Sequence, residues 1–254
     1  MLNRIEFLLH LADNALIIGH RNSEWCAHGP ALEQDIAISN IALDYIGQAR
    51  NFYQHAAFLI NELPHESSVF SIPATEDTLA YLRDASAFKN HLMTELPNGD
   101  WAFTTLRIFF FSSYQYFLYQ QLIQHEDAQI AAIAEKSLKE VTYHLRWSSD
   151  WVIRLGDGTT ESYQRMNTAI NALWPYTQEL FQENNFLQPT KNILAQIQTD
   201  WNEKIKNIFE EAGLHLPEKS VQYQGGTKGF HTEHLPIILT EMQLLQRVYP
   251  NCEW

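Results

Sequence analysis

Cysteine is nearly missing from this sequence: Cys26 and Cys252 are the 2 in 254 residues, and they stand near opposite ends. Neither belongs to a CxxC pair or a Cys/His run, which argues against a zinc site. Spacing alone leaves one Cys26–Cys252 bridge open, but two free thiols in a reducing compartment is the simpler expectation. Basic charge is also scarce. Lys and Arg number 17 against 30 Asp and Glu, for a formal net charge of -13. A chain this acidic lacks the footprint of a non-specific nucleic-acid binder and is repelled by an anionic membrane surface. A local basic patch for a small anion stays open. Charged residues of either sign reach only 19%, so part of the surface is expected to be covered by a partner. Long uninterrupted apolar runs are absent too. His10, Asp13 and Asn14 break the N-terminal run, which has no basic leader or small-residue cleavage site. Arg107, Ser112, Ser113, Gln115, Gln120 and Gln121 break the Phe- and Tyr-rich stretch from Trp101 to Ile123, too often for a membrane span. These absences lead to the expectation of a soluble, cytoplasmic protein without a signal peptide. Alternating strand-like runs, internal repeats and low-complexity tracts are missing as well.

What is present is helical periodicity almost throughout, with 45% apolar residues to fill a core. The fold class read from it is all-α: a ferritin-like four-helix bundle in one domain spanning 1–254. Bundle helices are expected at about 2–20, 31–61, 100–124 and 127–155, with a C-terminal helical extension over 160–254. Pro64 and Pro73 bracket a loop, and Pro97-Asn98-Gly99 is a turn. Short helical pieces are expected near 75–82 and 85–91. Gly156-Asp157-Gly158 reads as the stop of the fourth bundle helix. Pro175 should kink or divide the helix that begins near Thr160. A helix from about Thr190 to Gly213 and a last one from about Thr232 to Val248 complete the chain. The connection between the second and third bundle helices is the longest of that set, as the single crossover of a ferritin-like bundle requires.

Polar residues on these apolar helices carry the functional information, because buried charges must be paired or metal-bound. Glu6, His10 and Asp13 share a face of the first helix, and Asn40, Asp44 and Gln48 form a ridge on the second. Glu140 and His144 lie four apart on the fourth. A carboxylate-bridged dimetal centre needs one Glu from each of two helices and a Glu-x-x-His from each of the other two. Here the third bundle helix has no Asp or Glu between Asp100 and Glu126. Asp44 is followed three residues later by Gly47 rather than His, and Glu140 by Tyr143, with His144 one position too far. The expectation is therefore no catalytic, cofactor-binding or metal residue. Asp13, Asp44, Glu140 and His144 are instead read as relict core positions in a paired, hydrogen-bonded network, with one or more of them on a solvated or partner-facing surface as the alternative.

Other motifs weigh less. Gly225-Gly226-Thr227-Lys228-Gly229 lacks the spacing, the Lys-Ser/Thr pair and the preceding strand of a P-loop, and reads as a turning loop. His231 and His234, with Glu233 between, depart from metalloprotease spacing and read as helix-start capping and packing. Trp25-Cys26-Ala27-His28 lacks a base-orienting constellation, and Phe109-Phe110-Phe111 reads as core or interface.

Several segments are distinctive together. They are Glu24-Trp25-Cys26, LEQDIAISNIALDYIGQARNF from Leu32 to Phe52, Leu96 to Gly99, KEVTYHLRW from Lys139 to Trp147, Arg154 to Thr159, and GGTKGFHTEHLPIILTEMQLLQR from Gly225 to Arg247. With these segments the chain closely resembles the PaaC family, the structural C subunits of the bacterial ring-1,2-phenylacetyl-CoA epoxidase. That resemblance implies a ferritin-like fold without a metal site of its own. It implies a catalytic A subunit as partner, which carries the diiron centre and binds phenylacetyl-CoA. A small B subunit and a transiently bound NADPH-dependent reductase would complete the complex, which inserts one oxygen atom of O2 into the aromatic ring. A homodimer is the implied state when the chain is alone, with neither nucleic acid nor membrane as partner. Two other readings stand beside it: a stand-alone diiron oxidase with atypical ligands, and a CoA-ester-binding bundle using Lys228.

Overall fold

The computed structural model describes residues 1–64, 73–183, 191–217, 220–249 and 252. The loop between Pro64 and Pro73 lies outside them, as does Thr190, the expected start of a late helix. Among the described residues there are ten α-helices and no strand. They are α1 (Leu2–Ser23), α2 (Leu32–Asn61), α3 (Glu76–Tyr81), α4 (Leu92–Glu95), α5 (Trp101–Leu122), α6 (Ala128–Gly156), α7 (Thr160–Leu173), α8 (Lys191–Glu211), α9 (His234–Met242) and α10 (Leu244–Val248).

Local chemistry sets several of these boundaries. Asp100 caps α5 by accepting from Phe103 N at 2.9 Å. Asp127 caps α6 by accepting from Gln129 N and Ile130 N at 3.0 and 3.3 Å. Thr159 and Ser162 form a reciprocal capping box at the start of α7. Each cap satisfies amide groups that the first helical turn leaves without partners. Pro175 divides the chain as its chemistry demands: α7 stops at Leu173, and Trp174–Phe181 continues as 3-10 helix. Gly156 does more than stop α6. A Cβ there would lie 2.6 Å from the Ala212 carbonyl oxygen, so glycine lets α6 meet the end of α8.

Side-chain pairings give the helix directions. Asp13 meets Tyr53 while Gly19 packs on Tyr45 and Ile46, so α1 and α2 are antiparallel. Gln34 bonds Trp147 and Trp151, Asp44 bonds His144, and His55 bonds Asp127, so α2 and α6 are antiparallel. Phe7 stacks on His125 and Trp25 bonds Thr104, so α1 and the third bundle helix α5 are antiparallel. Helices α2 and α5 therefore point the same way. Their connection must return along the bundle, about 45 Å for the 30 residues of α2 at 1.5 Å each. Residues 73–100 lie along that return, with α3 and α4 among them.

The core sits inside and beside the bundle. Helix α5 is buried without a break from Thr104 to Gln115, because α6 covers one side and α7 and α8 cover another. Phe110 is the junction: its ring meets Trp174, Trp201 and Phe209, and its carbonyl accepts from Trp201 Nε1 at 2.9 Å. Within the expected Phe109–Phe111 core run, Phe110 thus faces the C-terminal helices while Phe111 packs on Tyr45 of α2. Helix α1 is buried from Phe7 through Gly19, since the crossover covers the side that α2 and α5 leave free.

Polar groups hold the crossover onto α1. Asp13, fully buried, accepts from Lys89 N at 2.7 Å, from Tyr53 Oη at 2.5 Å and from the Arg83 guanidinium. Asn14 Oδ1 accepts from His91 N at 2.9 Å, and His10 Nδ1 lies 2.7 Å from the Lys89 carbonyl. Removing one member of a buried, hydrogen-bonded ion pair costs about 3–5 kcal/mol, because the other charge stays desolvated. Asp13→Ala should therefore lower stability by about that amount in urea denaturation followed by tryptophan fluorescence. A loss comparable to that of an exposed-pair variant such as Lys206→Ala would contradict this assignment.

Candidate functional site

The interior between α2, α5 and α6 is where a four-helix bundle would hold a cofactor. Asp44 Oδ2 lies 3.0 Å from His144 Nε2; His144 is fully buried and the Asp44 side chain is 36% exposed. One turn along, Glu140 Oε2 accepts from Gln48 Nε2 at 3.0 Å. Gln48 Oε1 accepts from Tyr119 Oη at 3.2 Å, and Tyr119 Oη accepts from Gln115 Nε2 at 3.3 Å. Burial pushes the Glu140 carboxyl above its ordinary range, with Asp44 adding to the shift against Gln48, Lys136 and His144. Burial pushes the Tyr119 hydroxyl up as well. Tyr45 packs its ring 4.8 Å from His144 and is likewise pushed well up by burial.

Asp13 takes no part in that arrangement, which corrects the single network expected from the sequence. Its carboxylate points to the crossover, where Arg83 supplies the counter-charge and Lys89 a backbone donor. Asp44 with His144, and Glu140 with Gln48, form the other pairs across the α2–α6 interface. The split has a geometric cause. Helix α1 antiparallel to α5 presents His10, Asp13 and Asn14 to residues 83–91, not to α6. Among the described residues, no three or more His, Cys, Asp and Glu side chains are grouped so that they could hold a metal ion.

Two further buried carboxylates give the Gly-rich loop its setting. Glu179 accepts from Gly225 N and Gly226 N, each at 2.8 Å, and from Leu92 N at 2.6 Å. The backbone donors that would cradle a phosphate are thus filled by a carboxylate of the same chain, while Lys228 points away as an exposed residue. Burial raises the Glu179 carboxyl above its usual range against the pull of those three N–H groups. Glu95, also fully buried, accepts from Asn90 Nδ2 at 2.8 Å and Thr232 N at 2.6 Å, and its Oε2 lies 2.8 Å from His231 Nδ1. His234 N is capped by Thr232 Oγ1 at 3.2 Å. Cys26 and Cys252 are both free, exposed thiols.

Sequence reading missed Tyr53, Arg83, Glu95 and Glu179. Glu95 and Glu179 had a weak signal, as lone carboxylates within short apolar stretches, but nothing in spacing links them to residues 225–232. Three surface depressions of about 310, 400 and 270 Å3 lie around Gln243 and Arg247, around His55 and Phe58, and around Arg50 and Tyr53. None of the three is lined by Asp44, Glu140 or His144. No described helix is long and apolar enough to cross a membrane.

Fold and interior together define an all-helical bundle of ferritin-like type whose core carboxylates are bound by side chains and backbone of the same chain. A family model described as phenylacetic acid catabolic protein matches residues 2–254, and the chain belongs to that family. It is 42% identical over 253 residues to the C subunit of the 1,2-phenylacetyl-CoA epoxidase of Escherichia coli (strain K12), covering 98% of each chain.

The buried rings of His10 and His91, 4.7 Å apart, set an acid limit on the fold. Burial holds His10 down to about 4 and His91 well below its usual value. The unfolded chain takes up protons that these rings refuse, so the stability these two rings contribute is complete above about pH 6.5 and falls as pH drops towards 4. Urea midpoints should fall between pH 6.5 and 5, where ordinary carboxylates stay ionised, and His91→Gln should flatten that slope. A wild-type midpoint constant over that interval would contradict the assignment.

Proposed function

We propose that this chain is the non-catalytic, structural subunit of a multicomponent diiron oxygenase that epoxidises phenylacetyl-CoA, paired with a catalytic A subunit. The observation that carries the reading is the near-full-length identity to the C subunit of such an epoxidase. The interior chemistry supports it. A diiron centre consumes carboxylates from several helices, whereas here Asp13, Asp44 and Glu140 are engaged by Arg83, His144 and Gln48, and α5 contributes no Asp or Glu. In this reading the diiron centre belongs to the A subunit, and this chain supplies a rigid neighbour rather than reacting atoms.

Two exposed apolar regions support a partnered role. Helix α2 presents Leu32, Ile36, Leu43 and Phe58 outward, each more than half exposed, and Tyr143 of α6 is partly exposed as well. The C-terminal helices present Ile237, Leu244, Leu245 and Val248. Exposed large apolar residues repeated along one element are what a protein contact would cover. A homologous bundle packed on such a face would bury its apolar side chains and hold the helices of the catalytic subunit in place. The small B subunit and a transiently docking reductase complete the proposed assembly, which acts in the cytoplasm.

Metal analysis and size-exclusion chromatography test the proposal. The chain expressed alone should elute without stoichiometric iron and without oxygen-dependent turnover of phenylacetyl-CoA. Co-expressed with an iron-bearing A subunit, it should co-elute with it. Stoichiometric iron with oxidase activity in the isolated chain, or failure to associate with any A subunit, would overturn the reading.

A further inference from the structure

We infer that His231 is an imidazolium latch that holds the segment 225–234 against the crossover, and that loss of its proton loosens that segment while the bundle stays packed. Each of its two ring nitrogens faces an oxygen. Nδ1 lies 2.8 Å from Glu95 Oε2, and Nε2 lies 3.0 Å from the Phe88 carbonyl oxygen. The carbonyl only accepts, and Glu95 is held as an acceptor on both oxygens, Oε2 by Asn90 Nδ2 and Oε1 by Thr232 N. A neutral imidazole carries one N–H and would turn a lone pair towards one of them; only the protonated ring donates to both.

The surroundings make that proton consequential. The His231 side chain is 3% exposed and that of Glu95 is fully buried, so water cannot replace either partner. The same carboxylate holds the neighbouring backbone through Thr232 N and ties it to Asn90 of the crossover. A few residues earlier, Glu179 grips Gly225 and Gly226. Gly226 leaves no slack, since a Cβ there would lie 2.1 Å from the Asn90 carbonyl oxygen. The segment therefore rests on two buried carboxylates, and His231 is the cationic side chain paired with them among the described residues. The charged groups acting on this ring are Glu95 of α4 and Asp13 of α1. Glu179 and Tyr176, from the 174–181 segment, are coupled in turn to Glu95. Arg21 of α1 is engaged by the Glu95 backbone carbonyl, not by the carboxylate. With the proton gone, Glu95 keeps its two neutral donors but loses its counter-charge in a site that excludes water, with Glu179 close enough to repel it.

Linkage gives the direction. Burial pulls His231 down, but the Glu95 carboxylate, the Phe88 carbonyl and Asp13 outweigh it and hold the ring above its ordinary value. The latch is fully engaged below the free-ring value of about 6.5 and is lost as pH rises through the raised value. Between those two points the opening constant of the segment should rise by about tenfold per pH unit, because opening releases one proton, and it should level off above.

Hydrogen exchange read by mass spectrometry on peptides covering 225–234, from pH 6 to 9 on the full chain, provides the test. After correction for intrinsic exchange, protection there should fall with rising pH by about tenfold per unit over the latch interval, while peptides from α5 and α6 keep theirs. Nitrogen NMR of the His231 ring should show both nitrogens protonated at pH 6.5. His231→Gln should give protection that is already reduced at pH 6.5 and independent of pH. A His231 ring with one proton at pH 6.5, or wild-type protection of 225–234 that does not change with pH, would overturn the inference even if the variant failed to fold.

Discussion

The carboxylate of Asp13 is the constraint on which the rest of this structure depends. It has no exposure to water, so its charge must be answered by protein groups. Arg83 and Lys89 N answer it, and both come from the crossover. The direction of the polypeptide makes this contact structural. Because α2 and α5 run parallel, a long segment must pass back along the bundle, and a segment without strong local structure needs anchors. Asp13, Asn14 and His10 provide them within a single turn of α1. Arg83 is then held in place for a second task, with its guanidinium 4.3 Å from the Phe88 ring centroid.

That anchored crossover organises the C-terminal part of the chain. It presents Glu95 to His231 and Thr232, and the Ala80 and Arg83 carbonyls to Gln243 at 3.2 and 3.0 Å. It also leaves Leu92 N to Glu179 at 2.6 Å. The C-terminal segment thus docks on the crossover, which in turn is docked on α1. Buried carboxylates supply most of these links. Each would be costly alone in a low-dielectric interior, and each becomes favourable only because a guanidinium, an imidazole or several N–H groups converge on it. The same saturation bears on metal chemistry. An Asp or Glu surrounded by hydrogen-bond donors has little left to offer an ion, so architecture and cofactor binding compete for the same side chains.

Much of the fold was legible beforehand. The helical segments that became α1, α2, α5 and α6, the division at Pro175, and the long connection before Asp100 are local or patterned features that a linear reading captures. The deficit of ligands was legible too, because the absence of Asp and Glu between Asp100 and Glu126 needs no coordinates. The separation of Asp13 from Asp44, Glu140 and His144 was not. Periodicity places a residue on a face of its own helix but does not say which element covers that face. Glu95 and Glu179 escaped notice for the related reason that their partners lie far along the chain, at His231 and at Gly225 and Gly226.

The sequence by itself determined the class of this protein: all-α and acidic, with no Asp or Glu between Asp100 and Glu126 and no His three residues after Asp44 or Glu140. Tertiary structure alone decided how the remaining polar residues are used. It turned Asp13 to Arg83, joined Asp44 to His144, and filled the amide groups of the Gly-rich loop with Glu179. The physical reason is range. Helix periodicity and ligand spacing act over a few residues and are written in order along the chain. The pairing of a buried charge is settled by whichever donor the completed fold brings within about 3 Å.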